Sequence, residues 1–220
     1  MNNKISGVVF DMDGVLFDTE RLGCELWAEV CRENGIQATM ETFKIFAGIA
    51  SETAYPMMED IWGAGYNYRA MDNIVYDRMR LYIKDYGTPL KPGLFRTLEF
   101  LKNNGYKIAV ATSSVEKEAM NTLGAGGVLK YLDGKIFGDT VKNSKPAPDI
   151  YLKAAEVLGL NPVECIAVED SPAGLRAAYA AGMLPIMALD QIEPDEELVR
   201  IVYAIIHSLD ELINLLSGGV

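Results

Sequence analysis

Two patterns of apolar residues alternate along most of the chain. Short continuous apolar runs, typical of strands buried on both faces, alternate with segments in which apolar residues recur at helical spacing, as Leu94, Leu98 and Leu101 do. The predicted strands are 5–10, 107–112, 164–168 and 184–188, with weaker ones near 135–137 and 203–206. This alternation predicts an α/β fold with a doubly wound, mainly parallel sheet that helices cover on both faces.

One long stretch interrupts the alternation. Between about Asp18 and Gly87 the apolar residues follow a helical period, and the segment is rich in methionine and aromatic residues, which is typical of a small helical core. The turn-forming sequence TPLKPG then leads back to the sheet. We therefore predict an α/β core domain from 1–17 and 88–220, with an α-helical domain, 18–87, inserted after the first strand.

Charge and cysteine content narrow the possible partners and location. The 220 residues carry 20 Lys and Arg against 31 Asp and Glu, a net charge of −11 that repels nucleic acid and anionic membrane surfaces. Three cysteines without a CxxC pair fit neither a disulfide framework nor a zinc site. The first apolar run ends at Asp11, too early for a signal peptide or a membrane span. We expect a cytoplasmic protein that acts on a small molecule.

Polar side chains follow the predicted strands at the points where these end. Asp11 and Asp13 follow the first strand, a hydroxyl cluster at 112–114 follows the second, and Glu169 and Asp170 follow the third. Lys145 lies between the second and the third of these strands, just before a predicted helix. Ligands of open parallel sheets bind at this edge, and an oxygen-rich set of carboxylates suits Mg²⁺ together with a phosphate. The predicted metal ligands are Asp11, Asp13, Glu169 and Asp170.

Phosphoryl transfer gives each of these residues a role. Asp11 is the predicted nucleophile, and Asp13 the acid that protonates the leaving oxygen and then activates water. Thr112, Ser113 and Lys145 are the predicted phosphate-binding residues. Two alternatives stay open at this point. Glu169 either binds the metal or supports its neighbours, and Ser113 and Ser114 could instead cap the helix that begins near Val115.

These residues resemble the four motifs of the haloacid dehalogenase superfamily, in the same order along nearly the whole chain. The matching segments are 11–15 (DMDGV), 111–114 (ATSS), 144–149 (SKPAPD) and 168–171 (VEDS) followed by Gly174. The helical insert resembles that superfamily's cap, and the similarity is to the beta-phosphoglucomutase-like subgroup. The resemblance implies an Mg²⁺-dependent phosphotransferase that works through an aspartyl phosphate.

Two functions compete within this resemblance. The first is a phosphatase that hydrolyses a small organic phosphate ester, with a sugar phosphate favoured by the family. The alternative is a sugar phosphomutase of the beta-phosphoglucomutase type, whose members resemble one another in a cap-loop arginine and a histidine near the start of the cap. The corresponding stretches here are 48–52, with Ser51, and 21–23, with Gly23. This departure favours the phosphatase, and we expect the loop 47–52 to select among esters.

Overall fold

The structure is a computed structural model that describes residues 4–46 and 51–218. Six strands form one sheet in the order β3-β2-β1-β4-β5-β6, and every neighbouring pair is parallel. The strands are β1 (Gly7–Phe10), β2 (Lys107–Ala111), β3 (Gly134–Ile136), β4 (Cys165–Glu169), β5 (Leu184–Ala188) and β6 (Ala204–Ile206). The predicted parallel α/β fold is confirmed, including its two weaker strands.

Helices account for most of the remaining chain. Those before β2 are α1 (Thr19–Glu33), α2 (Met40–Phe43), α3 (Ser51–Trp62), α4 (Tyr68–Tyr86) and α5 (Leu94–Asn103). Those after β2 are α6 (Glu116–Ala125), α7 (Asp149–Leu158), α8 (Pro172–Ala180), α9 (Glu196–Ile201) and α10 (Asp210–Gly218). No helix in the described part of the chain combines the length and the apolar composition that a membrane crossing needs.

The sheet is buried on both faces, as its continuous apolar strands predict. Along β1, Val8 and Phe10 belong to one apolar cluster with α5, α6 and α10, whereas Val9 belongs to a second cluster with α7 and α8. Successive side chains of a strand point to opposite faces, so each strand contributes to two cores. Both cores hold the carboxyl ends of β1, β2 and β4 in fixed positions.

The helices α1 to α4 enclose a separate apolar cluster. Its buried members run from Leu22 to Val75, and Trp27 and Phe43 stack with their ring centroids 5.5 Å apart. Cys24 and Cys31 are buried and free, as is Cys165 in the sheet. A helical core for this segment agrees with the sequence pattern, while the division into two domains at its ends stays a prediction. Residues 47–50 of the expected selectivity loop lie outside the described residues.

Candidate active site

The register of the sheet brings three motifs to one place. Phe10 pairs with Val110 on one side and with Val168 on the other, and the Asp11 N–H donates to the Val168 carbonyl at 2.9 Å. Asp11 therefore lies level with the ends of both neighbouring strands. The chain leaves β1 toward β2 on one side and reaches β4 on the other. This reversal of strand order creates the crevice where parallel sheets bind ligands.

Lys145 links the nucleophile candidate to Glu169. Its Nζ donates to Asp11 Oδ1, to Glu169 Oε1 at 2.5 Å and to the Ala111 carbonyl at 3.2 Å. Burial lowers the pKa of this lysine, but the charges of Asp11 and Glu169 outweigh that effect, and its pKa is raised above the ordinary value. The ammonium group is therefore fully charged. It lies where it could neutralise a phosphate that approaches Asp11.

Glu169 is fully buried and has both carboxylate oxygens engaged by protein donors. Oε1 accepts from Lys145 and from the Tyr151 hydroxyl at 2.8 Å. Oε2 accepts from the Asp170 N–H, the Ser171 N–H and the Ser171 hydroxyl at 3.0–3.1 Å. The Glu169 carboxylate lies directly over Gly174. A β-carbon on residue 174 would be 1.7 Å from Oε1, so only glycine fits there. Of the two hypotheses for Glu169, this geometry favours support of its neighbours.

Asp13 is oriented by two hydroxyl groups from different parts of the fold. Thr19 at the start of α1 donates to Oδ1 at 2.6 Å, and Ser114 donates to Oδ2 at 3.2 Å. Burial raises the pKa of Asp13, and the two hydrogen bonds oppose that rise. Ser114 therefore orients an acid. The N–H of Glu116, at the start of α6, donates to Asp139 Oδ1 at 3.1 Å and not to Ser113 or Ser114, so the alternative that these serines cap the helix is wrong.

Burial raises the pKa of both Asp11 and Asp170. Burial raises the pKa of Asp11 to about 7, with Lys145 opposing this and Glu169 and Asp13 adding to it. The pKa of Asp170 is raised well above its ordinary value, mainly by burial and to a smaller extent by the charges of Glu169 and Asp11. Such shifts mark buried negative charge that a divalent cation would compensate. The donor set thus fits Mg²⁺, which takes one or two carboxylates together with water and phosphate oxygens.

The predicted set of four metal-binding carboxylates, Asp11, Asp13, Glu169 and Asp170, stays a prediction. Within residues 4–46 and 51–218, no three acidic, histidine or cysteine side chains are grouped so as to hold a metal ion. Hydroxyl groups engage both oxygens of Asp13, and the lysine, tyrosine and motif-four donors engage those of Glu169. Asp11 and Asp170 are therefore the two that we favour as ligands.

The second motif supplies the other side of the phosphate site. Thr112 is 1% exposed, and its hydroxyl oxygen accepts from the Ser114 N–H at 3.1 Å, which fixes the turn after β2. Ser113 is exposed in that turn. Thr112, Ser113 and Lys145 all line the cavity that contains Asp11, so the structure brings the predicted phosphate-binding residues together.

The cavity lies between the sheet edge and the helices α1 to α4. Its volume is about 980 Å³, enough for a phosphate ester with a sugar-sized organic group. Gly23 and Ser51, where the resemblance led us to expect the histidine and the arginine of a phosphomutase, both line it. Arg80 and Lys84 of α4 line it as well, so the helical segment does contribute positive charge.

Sequence reasoning missed three residues that the fold brings to this site. Tyr151 fits the apolar face of α7 by its spacing, yet its hydroxyl donates to Glu169. Glu20 lines the cavity. Its pKa is raised to about 8, mainly by desolvation and to a smaller extent by the charges of Asp13, Asp11 and Asp190. Asp190 comes two residues after β5, so the search for polar residues at strand ends could have found it.

A sequence model of haloacid dehalogenase-like hydrolases matches residues 8–188, which include Asp11, Asp13, Lys145 and the fourth motif. The chain belongs to this family. It is 31% identical over 215 residues to the phosphorylated carbohydrates phosphatase of Thermotoga maritima, with 98% of this chain and 92% of the relative covered. It is 30% identical to the beta-phosphoglucomutase of Bacillus subtilis, with 83% and 82% covered.

A solved structure extends the likeness to three dimensions. The crystal structure of CbbY from Rhodobacter sphaeroides in complex with phosphate superposes with a TM-score of 0.75 at 25% identity. The match covers 94% of this chain and 96% of the other. The predicted resemblance to the haloacid dehalogenase superfamily and its beta-phosphoglucomutase-like subgroup is thus confirmed, and both phosphatases and phosphomutases are found among the relatives.

Proposed function

We propose that this protein is an Mg²⁺-dependent phosphatase that hydrolyses a small phosphate ester through an aspartyl-phosphate intermediate. The observation that carries the proposal is the arrangement around Asp11. This buried carboxylate lies at the base of a cavity, one oxygen is bound by Lys145, and the acid Asp13 is held nearby by hydroxyl groups from two directions. A nucleophile, a positive charge and an acid at one strand end match the needs of phosphoryl transfer.

The first half of the reaction transfers the phosphoryl group to Asp11. The carboxylate attacks phosphorus, the ester P–O bond breaks, and Asp13 gives its proton to the departing alkoxide oxygen. Burial raises the pKa of Asp13 above its ordinary value, which moves this group toward the range in which an acid can both give and take a proton. Lys145 and Thr112 bind the phosphoryl oxygens and balance the negative charge that gathers on them.

The second half releases inorganic phosphate. Asp13, now ionised, takes a proton from a water molecule, and the resulting hydroxide attacks the phosphorus of the aspartyl phosphate. The P–O bond to Asp11 breaks, and the free carboxylate returns to its bond with Lys145. One acid thus acts twice, which restores both aspartates at the end of the cycle.

Asp11 and Asp170 would hold the Mg²⁺ ion. When bound, this ion supplies positive charge that neutralises the phosphoryl oxygens and the crowded carboxylates. The raised pKa of both aspartates supports this assignment, because burial makes their negative charge costly and a bound cation would offset that cost. Glu169 takes part only through Lys145 and the backbone of the fourth motif.

A sugar phosphate is the substrate class that we favour. The Thermotoga maritima relative is a phosphorylated carbohydrates phosphatase, and the cavity offers room together with aromatic side chains such as Tyr55 and Tyr76. The net charge of −11 favours a small metabolite over nucleic acid as partner. The three cysteines, buried and unpaired, support a reducing compartment such as the cytoplasm.

A phosphomutase is the second candidate, and one observation favours it. Arg80 and Lys84 line the cavity from α4, where they could bind the second phosphate of a bisphosphate intermediate. Against it, Gly23 has no titrating side chain and Ser51 no positive charge, so the two groups that phosphomutases of this type share are replaced. We therefore rank hydrolysis first.

The partition of one substrate decides between the candidates. We would incubate the protein with beta-glucose 1-phosphate and Mg²⁺, with and without a trace of glucose 1,6-bisphosphate, and measure inorganic phosphate and glucose 6-phosphate together. The proposal predicts that phosphate is released faster than glucose 6-phosphate forms. Rapid isomerisation with little phosphate released would establish the phosphomutase. A panel of other phosphate esters, with Asp11→Asn as the inactive control, defines the substrate class.

A further inference from the structure

Asp190 is a buried carboxylate at the same edge of the sheet as the active site. It comes two residues after β5, and its side chain is 5% exposed. Oδ1 accepts from the Lys91 ammonium at 2.7 Å and from the Gln191 amide at 3.1 Å. Oδ2 is buried and has no hydrogen-bond partner among the described residues. A buried carboxylate oxygen without a partner costs free energy unless something else binds it.

The unpartnered oxygen of Asp190 lies beside Asp170. Gly14 has a φ of 76°, and a β-carbon built on it would lie 2.2 Å from Asp170 Oδ2 and 3.2 Å from Asp190 Oδ2. The two carboxylate oxygens therefore approach the same small space over Gly14. Two buried negative groups side by side repel each other strongly in the absence of a positive species between or beside them.

We propose that Asp190 is a further positioning residue of the cation site, whose Oδ2 accepts a hydrogen bond from the hydration shell of the Mg²⁺ held by Asp11 and Asp170. The inference rests on the proposed function, which places the cation there. Mg²⁺ keeps several of its water molecules in proteins, and these waters need acceptors. Direct ligation is disfavoured because no three carboxylates of the described chain form a metal-binding group.

Lys91 fixes the direction in which Asp190 acts. Its ammonium group engages Oδ1, which leaves Oδ2 to face Asp170. Lys91 is itself anchored, because its N–H donates to the Leu16 carbonyl at 3.0 Å in the segment that follows β1. Groups that orient the ligands and waters of a metal contribute to affinity without touching the metal, and their loss costs about 10- to 100-fold in binding.

The test measures cation binding without substrate. Mn²⁺ binding, followed by electron paramagnetic resonance of the free ion, and Mg²⁺ binding by competition are compared in the wild type and Asp190→Asn. Glu193→Gln is the control, because it removes an exposed carboxylate three residues away. A double variant, Lys91→Met with Asp190→Asn, removes the ion pair with no change of net charge. If the single variant does not fold, cation binding is measured on this double variant instead.

We expect Asp190→Asn and the double variant to bind both ions about tenfold or more weakly, and Glu193→Gln to stay within twofold of the wild type. If the wild type binds the ions and both Asp190 variants bind them equally well, this inference is overturned while the proposed function stands. A wild type that binds neither ion at millimolar concentration would overturn both, so the two failures are distinguishable.

Discussion

The substitution Glu169→Gln tests the central ion pair. It keeps the size of the side chain but replaces one carboxylate oxygen with an NH₂ group, which donates and cannot accept. In the native site both oxygens only accept: one from Lys145 and Tyr151, the other from Asp170 and Ser171. Whichever way the amide turns, it places a donor against other donors.

The structure gives the size of the effect. With the amide oxygen toward Lys145, the NH₂ group faces the N–H groups of Asp170 and Ser171, and both lose their acceptor. With the amide reversed, the NH₂ group faces Lys145, which cannot accept, and Tyr151, which can rotate its hydroxyl. Each buried donor left unpaired costs about 1–3 kcal/mol. We therefore expect the free energy of unfolding to fall by about 2–5 kcal/mol.

Urea denaturation, monitored by circular dichroism, measures this loss. Tyr151→Phe is the matched variant, because it removes one of the five donors and leaves the carboxylate, for a loss of about 1 kcal/mol. Cation binding to folded Glu169→Gln should stay within a few-fold of the wild type, whereas Asp170→Asn should weaken it at least tenfold. If Glu169→Gln keeps its stability yet loses cation binding as Asp170→Asn does, Glu169 is a metal ligand and the reasoning from its hydrogen bonds is refuted.

Three further predictions concern the nucleophile, the cation and a half-buried acid beside the site. Asp11→Asn should lower kcat by several orders of magnitude with an unchanged circular dichroism spectrum, since an amide is a poor nucleophile; near-normal phosphate release would exclude the covalent route. A chelator should abolish turnover, with Mg²⁺ restoring it and Ca²⁺ doing so poorly, because Ca²⁺ prefers more ligands at longer distances; full activity in excess chelator contradicts the proposed site. Glu20 has a pKa of about 8 when folded against an ordinary 4.5, so the metal-free folded protein binds a proton that the unfolded chain releases. Its free energy of unfolding should therefore fall, by on the order of a few kcal/mol, as the pH rises from about 4.5 to 8. Glu20→Gln should flatten this fall in thermal melts, and an unchanged slope would show that Glu20 does not take up the proton.

The order of strands and helices, and the edge at which the chemistry occurs, follow from the sequence alone. Short continuous apolar runs that alternate with amphipathic helices indicate strands buried on two faces, and parallel strands bring their carboxyl ends to one edge. Asp11, Thr112 and Glu169 each follow such a run directly, and Asp170 comes one residue later. Their approach to one another therefore depends on the strand pattern and needs no knowledge of side-chain packing.

The partners of each site residue were decided only by the tertiary structure. Tyr151 donates to Glu169, and Thr19 of α1 donates to Asp13. One oxygen of Asp190 is buried without a partner among the described residues. All three features depend on side-chain directions in elements far apart in the chain. Periodicity tells which face of a helix is buried, but not which polar atom on that face meets a donor. That is why the sequence predicted four metal-binding carboxylates and left the role of Glu169 open, whereas the fold shows which hydroxyl, lysine and backbone donors surround Asp13 and Glu169. A carboxylate's role is set by what occupies its lone pairs, and only the folded chain determines that.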